Sequence, residues 1–482
     1  MLPKRKKAAQ QLVIPVKKRT WERYDPRKYG SNKTPSAGKR ATKKRKGTQR
    51  AIEKQHYEMW YHRFFDFHRG HDVRLFSVLA LLILVGIIAV YSSSIIFAYR
   101  YTDNQYYYLT NHLLYVGVGI IFASFFYFLR VEFLTRIWYA PLAVCIGLLI
   151  YILIMSWLGK ADAVNGATRW IDVGSFSFQP SDFTKLAFVL FVAAFLSSRR
   201  VHYKDFREYV AQHLFPYSCW FVLILLLILL GKNLGTTMVV GFIGLACYGV
   251  GAITKYHKTG FVILLGFGIL GGVLFSVYEG YRADRIAVWM NYLHTGDTAI
   301  EENGVMRRDK RSYQVDQHLT SLGTGGLTGV GLGQSTGKFY FPQTTAGDDG
   351  IFSIIGEEVG FYLTVLLLLT FMYLIIRSIN ISRMFVGRPL YFYIMIGCTT
   401  WIGYQMFVHI GVNLSILPLT GQTLPFISLG GSSLISLMGA AGLMLNVSKA
   451  HHFQEQENRA MQGLPVRMQG RLPRTKTDYS II

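Results

Sequence analysis

The chain has 482 residues, of which 51% are hydrophobic, 15% aromatic and only 16% charged, with 47 glycines and a mean hydropathy of +0.27. That balance excludes a soluble two-domain enzyme, a disulfide scaffold and a secreted protein, and it points to a bilayer. The formal charge of +24 is unevenly spread: residues 1–70 hold 21 basic and 5 acidic side chains, a net +16.

The first predicted element is therefore a basic cytoplasmic tail over 1–70. Its hydrophobic residues are isolated among Pro, Gly, Ser and Lys clusters such as ATKKRKGTQR, too few to offset the entropy of ordering the chain. Such a tail suits anionic lipid headgroups or an acidic protein partner. Nucleic acid is not an expected partner, because Trp21, Tyr24 and Tyr29 give little of the aromatic interleaving it calls for. No cleavable signal pattern precedes the first apolar run, which is expected to stay in the membrane.

Spans of roughly 20 apolar residues, the length that crosses a bilayer core, recur ten times after the tail. They lie near 75–98, 106–129, 137–158, 182–198, 214–232, 236–254, 259–277, 350–376, 389–413 and 424–447. The predicted fold is an all-α polytopic membrane protein: a ten-span domain over 71–448 and a second cytoplasmic tail over 449–482. An even number of spans puts both termini on one side. Basic residues favour the cytoplasmic side for that pair, since Arg130, Arg136, Arg199, Arg200, Lys204, Arg207, Lys255, Lys258, Arg377, Arg383 and Arg388 fall in alternate short loops. The other short loops are poorer in them. The predicted outer connections include 159–181 and one long loop, about 278–349, between spans seven and eight. The four cysteines, Cys145, Cys219, Cys247 and Cys398, sit in apolar runs without CxxC or zinc spacing and read as core.

Three places could carry chemistry, because ionisable groups at the edge of apolar spans are costly to keep there. Span four opens Gln179, Pro180, Ser181, Asp182, Phe183, Thr184, Lys185; Pro180 suits a helix start, and Asp182 and Lys185 share a face. Span eight opens at Asp348 and Asp349 and then carries Glu357 and Glu358; helix capping is the alternative use of the two aspartates. The third is the glycine-rich SLGTGGLTGVGLGQSTGK, Ser321 to Lys338. Leu332 and Phe339 stand where a nucleotide-binding P-loop needs Gly and Ser or Thr, so that reading fails. A loop approaching a phosphorylated or sugar ligand, or plain flexible turns, remain.

NGATRWIDVG, FQPSDFTKLA, TGGLTGVGLGQSTGKFYFP, DDGIFSIIGEEVG and LPLTGQTLPFISLGGSSLI, with VYSSS in the first span, resemble in order the motif blocks of the SEDS polytopic glycosyltransferases, the FtsW/RodA family. The resemblance covers 75–447 and implies a peptidoglycan polymerase that extends glycan strands from lipid II beside a class B penicillin-binding transpeptidase. It implies Asp349 as the essential acid and Lys185 as its partner. Arg169 and Trp170 match the family's RW pair, and Asp182 stands where the family usually has Glu. With these, Gln179, Gln334, Lys338 and Asp348 are the expected substrate contacts. Asp348 replaces a family Thr, so two acids compete; Asp349 alone keeps the family spacing to Phe352 and Glu357.

The chemistry is consistent with that assignment. Transfer to a sugar 4-hydroxyl needs a base within hydrogen-bond reach, and a departing diphosphate needs cations. Arg169 and Lys338 are the expected diphosphate contacts. One base and an inverting displacement suffice. A divalent cation, Mg²⁺ or Mn²⁺, is compatible with the diphosphate, though no ligand spacing marks a site for it. The resemblance leans towards the FtsW-like division branch, with other division proteins as further partners of the tail and the division septum of the inner membrane as the location. The alternatives are a lipid-linked precursor transporter (a flippase), a lateral-wall elongation polymerase and a scaffold that has lost catalysis.

Overall fold

A computed structural model describes residues 70–159, 169–173, 176–199, 203–252, 254–278, 280–296, 300–302, 305–307, 310–341 and 346–461. The predicted basic tail lies outside the described residues apart from Gly70, as do positions 462–482 of the predicted C-terminal tail.

Helices overlap all ten segments predicted as spans, but residues 424–430 of the last are not helical and its helix begins at Gly431. Along the chain these are α1 Val73–Thr102, α2 Tyr107–Phe128, a short α3 Val131–Arg136, α4 Tyr139–Trp157, α5 Pro180–Ser197 and α6 Phe206–Leu230, which has a π-helical turn over Val210–Leu214. They continue with α7 Leu234–Val250, α8 Lys255–Tyr278, α9 Gly280–Thr295, α10 Lys310–Gly325, α11 Ile351–Arg383, α12 Pro389–Asn413 and α13 Gly431–Met461. Helices α1, α2, α4, α5, α6, α11 and the Gly431–Ala450 part of α13 are long and apolar enough to cross a membrane; α7, at 17 residues, is a shorter apolar helix. Local signals set the starts. Asp72 Oδ1 accepts from Leu75 N at 2.8 Å and Asn233 Oδ1 from Thr236 N at 3.2 Å, while Pro180 and Pro389 occupy first turns where no N–H is needed.

Helices α5 and α13 form the centre. Each is 83% buried over its apolar window, against 22% for α2 and α4, whose outward faces keep the large apolar side chains that lipid would cover. Helix α13 lies along α2, and small residues let the backbones close: a Cβ on Gly442 would sit 2.1 Å from the carbonyl oxygen of Ala123. Helix α12 packs against α5, α7 and α11.

The stretch read from sequence as one long outer loop is substantially structured. It contains α9, an antiparallel hairpin pairing Ile300–Glu302 with Val305–Arg307, α10 and the glycine-rich segment. A second hairpin, Ile171–Val173 with Phe176–Phe178, immediately precedes α5. The C-terminal helix runs to Met461, past the 448 boundary expected from apolarity alone.

Helix α11 is broken at Gly360, whose φ of 75° and ψ of −178° interrupt the ladder. The glycine-rich segment fills the break. Val330 N and Gly331 N donate to the carbonyls of Glu357 and Glu358, both at 3.0 Å, and Phe361 N and Tyr362 N donate to Gly326 and Leu327 at 3.0 and 3.3 Å. Four backbone groups beside the break thus find partners outside their own helix. The glycines at 326–331 are therefore not free turns but are bonded into α11. Gly329 and Gly360 have positive φ and touch, so that a Cβ on Gly360 would meet Gly329 N at 2.2 Å.

Candidate active site

Asp348 and Asp349 sit on the turn Gly347–Gly350 that leads into α11. Three consecutive carbonyls of this turn are held from the far end of the chain. Leu429 N donates to Gly347 O at 2.8 Å, Ser428 Oγ to Asp348 O at 3.0 Å, and Asn413 Nδ2 to Asp349 O at 2.9 Å. The LPLTGQTLPFISLGG segment therefore acts as the mount for the acidic turn. Gly421 of that segment lies beside the Asp349 carboxylate, since a Cβ there would stand 3.7 Å from Oδ2.

The same segment is anchored underneath by α12. Gln405, His409 and Asn413, spaced by four, form one buried polar stripe. Gln405 Nε2 donates to Thr423 O at 2.9 Å, and His409 Nδ1 lies 2.6 Å from Gln422 O. On the opposite side α9 grips it, with Arg285 donating to Leu419 O at 2.8 Å and Trp289 to Ser415 O at 3.2 Å. None of these five residues was singled out in the sequence. The four-residue spacing of polar groups inside an apolar run was the readable signal for the α12 trio; Arg285 and Trp289 lay in a stretch read as loop.

Electrostatics separates the two aspartates. Burial pushes the Asp349 carboxyl up to about 6, with the Arg285 guanidinium opposing the rise. Asp348 is pushed up further, by burial first and then by the carboxylates of Asp349 and Asp182. The two shifts differ in what acts beside burial: a guanidinium that opposes the rise at Asp349, and neighbouring carboxylates that add to it at Asp348.

Lys185 is on the expected face of α5, but its ammonium is 2.8 Å from Asp182 Oδ1, with side-chain exposures of 2% and 7%, and it lies 5.2 Å from the centre of the Trp401 ring. No contact joins it to Asp349 among the described residues. The guanidinium of Arg285 is the cation that opposes the rise of the Asp349 pKa. Lys338 is also relocated relative to the expectation. Its ammonium is buried and bonds Gly333 O at 2.7 Å, Ser92 O at 3.4 Å and Glu358 Oε1 at 3.3 Å, so it locks the glycine-rich segment onto α1 and α11 and does not face a diphosphate. Glu357 completes the lock, accepting from Ser335 Oγ at 2.7 Å, Thr336 N at 2.8 Å and Gly337 N at 3.2 Å.

Gln179 ties the second hairpin to α13, its backbone N donating to Ser432 Oγ at 2.9 Å. Arg169, partly buried, donates to the carbonyl of Lys232 between α6 and α7, and Trp170 beside it is 40% exposed. Gln334 is exposed on the glycine-rich segment. Among the described residues no three His, Cys, Asp or Glu side chains are grouped to hold a metal ion.

The profile of the protein family described as "Cell cycle protein" (FTSW_RODA_SPOVE) matches residues 73–453. Stage V sporulation protein E of Bacillus subtilis (strain 168) is 35% identical over 387 residues, covering 78% of this chain and 97% of that protein. A probable peptidoglycan glycosyltransferase FtsW of Thioalkalivibrio sulfidiphilus is 31% identical over 385 residues, covering 77% and 88%. Among solved structures, one titled "Structural coordination of polymerization and crosslinking by a peptidoglycan synthase complex" superposes with a TM-score of 0.61 at 22% identity, covering 80% of this chain and 99% of that one. The rod shape determining protein RodA of Thermus thermophilus superposes at 0.54 and 22% identity, covering 80% and 98%.

Proposed function

We propose that this chain, which belongs to the FtsW/RodA/SpoVE (SEDS) family, polymerises lipid II into glycan strands with Asp349 as general base. It is a helical membrane protein and a peptidoglycan glycosyltransferase of that family. The observation that carries the finer reading is the asymmetry of the acidic turn. Two aspartates share a rigidly mounted site, and only Asp349 has a cation opposing its protonation.

In the proposed step the Asp349 carboxylate takes the proton of the acceptor sugar's 4-hydroxyl as that oxygen attacks the donor's anomeric carbon. The bond from that carbon to the lipid diphosphate breaks and the diphosphate leaves with the electron pair. A single displacement inverts the anomeric centre and needs no covalent intermediate. Arg169 is the cation we assign to the diphosphate side, while Arg285 stays with the base. Asp348, Trp170, Gln179, Gln334 and the Asp182–Lys185 pair complete the proposed substrate surroundings. A Mg²⁺ or Mn²⁺ ion bound with the diphosphate would add to its neutralisation.

The remaining assignments follow this reading: ten crossings of the bacterial inner membrane, both termini cytoplasmic, the acidic turn on the outer face, a 1–70 tail docking other division proteins, and a class B penicillin-binding transpeptidase as partner. A peptidoglycan synthase complex among the structural neighbours supports a partner of this kind. Relatives named FtsW support use in division, and the relative named for a stage of sporulation supports a second use there.

A transporter reading would need charged groups along a path between helices. Three of the buried charged groups, Glu357, Glu358 and Lys338, are instead closed on one another and on the glycine-rich segment, and Lys185 is closed on Asp182. The deciding experiment supplies purified lipid II to the full-length chain with its transpeptidase and, separately, asks whether vesicles holding the chain translocate lipid II. Polymer without translocation supports the polymerase; translocation without polymer overturns it.

A further inference from the structure

Helix α11 begins without a side-chain cap of its own, because its N-cap residue is Gly350. A residue of another helix takes over. Asn413 Oδ1 accepts from Ser353 N at 3.2 Å, in the first turn of α11, and from Ser353 Oγ at 2.7 Å, while Asn413 Nδ2 donates to Asp349 O at 2.9 Å. The same amide thus holds the main chain on both sides of Gly350.

The chain of bonds continues outward to α10, where His318 Nδ1 stands 3.1 Å from Ser353 Oγ. Its polarity can be deduced. An amide oxygen only accepts, so the single hydroxyl proton of Ser353 goes to Asn413, and His318 must therefore carry its proton on Nδ1 and donate it to Ser353. Three donors in series, His318, Ser353 and Asn413, all run towards the Asp349 carbonyl, the arrangement in which hydrogen bonds strengthen one another. All three residues are fully buried, and His318 Nε2 is left without a partner. Burial, with His409 adding to it, holds the His318 pKa down to about 3, so the ring stays neutral and the direction of donation is fixed across the working pH range.

We propose that His318, Ser353 and Asn413 form a directed hydrogen-bond relay that positions Asp349, tying the acidic turn to the helix that follows the hairpin at Ile300–Glu302. The proposal rests on Asp349 being the base. The relay residues do not touch substrate; they fix where the carboxylate stands when the acceptor hydroxyl arrives.

The test is a set of substitutions in the full-length chain with its transpeptidase, read by initial rates of polymerisation at varied lipid II and pH. His318→Leu removes the terminal donor, whereas His318→Asn puts an amide N–H close to where Nδ1–H was. The relay predicts that His318→Leu lowers kcat tenfold or more with KM within twofold, and that His318→Asn recovers kcat to within about threefold. Asn413→Asp keeps the acceptor for Ser353, loses the donor to Asp349 and adds a negative charge, so its acid limb should move to higher pH along with a fall in kcat. Wild-type kcat and an unmoved pH profile in His318→Leu and Asn413→Asp, with Asp349→Asn inactive, would overturn the relay alone. An active Asp349→Asn would overturn the base assignment instead. Should Asn413→Asp fail to fold, the two His318 variants decide the matter, since loss of activity in both to the same degree would reduce His318 to packing.

Discussion

Lys185 and Asp182 are joined by a 2.8 Å salt bridge one turn apart on α5, with both side chains almost wholly buried. The bridge keeps a second carboxylate compensated beside Asp348 and leaves Asp349 to Arg285. Removing one partner of a buried pair strands the other, typically at about 3–5 kcal/mol, whereas replacing both by groups of similar volume is close to neutral. Lys185→Ala should therefore lower thermal stability in detergent by roughly that amount, and Asp182→Asn/Lys185→Met should restore most of it. Equal stability of Lys185→Ala and wild type would mean that the bridge does not hold this helix start.

The pH dependence follows from Asp349. A base raised to about 6 by burial is ionised above that pH and takes up a proton below it, so the polymerisation rate should fall as pH drops through about 6. The cation of Arg285 favours the ionised form, and Arg285→Gln should move the acid limb to higher pH. A limb that stays in place in Arg285→Gln would show that this guanidinium does not act on the base.

Gly360 and Gly329 provide a test of the broken helix. A Cβ at 360 would be held at φ 75° and pressed to 2.2 Å from a backbone nitrogen, so Gly360→Ala should cost more than the ~1–2 kcal/mol of a left-handed residue alone. Gly266→Ala, which meets nothing within 4 Å, is the control and should unfold within a degree or two of wild type. Matching melting temperatures for the two variants would contradict the inserted segment.

Seven membrane-length apolar helices were readable from apolar length, and the start of α5 from Pro180 and the i,i+3 spacing of Asp182 and Lys185. These are local properties, set within one or two turns. That Lys185 and Asp182 share a helix face was readable for the same reason, but the resemblance assigned Lys185 to Asp349, and the cation beside Asp349 was not readable. Arg285 reaches the acidic turn through Leu419, 134 residues away, and nothing in its own neighbourhood announces that. The glycine-rich segment shows a related limit. Its composition permits positive φ but does not say that the freed backbone groups of α11 will receive it; that pairing, like the bonds of Glu357 and Lys338 to the segment, joins parts of the chain some 20 to 35 residues apart. The polar stripe of Gln405, His409 and Asn413 was written in the sequence at helical spacing, and a search for polar periodicity inside apolar runs would have found it.

The most direct measurement compares glycan-strand formation from purified lipid II by the wild type, Asp349→Asn and Asp348→Asn, each with the cognate transpeptidase. The account predicts no polymer from Asp349→Asn, a loss of at least about a hundredfold, as for removal of a general base. It predicts that Asp348→Asn, which substitutes a neutral amide for a carboxyl whose protonated form is favoured by burial and by the carboxylates of Asp349 and Asp182, keeps activity within about tenfold. Polymer from Asp349→Asn, or its loss only in Asp348→Asn, would contradict the assignment of the base.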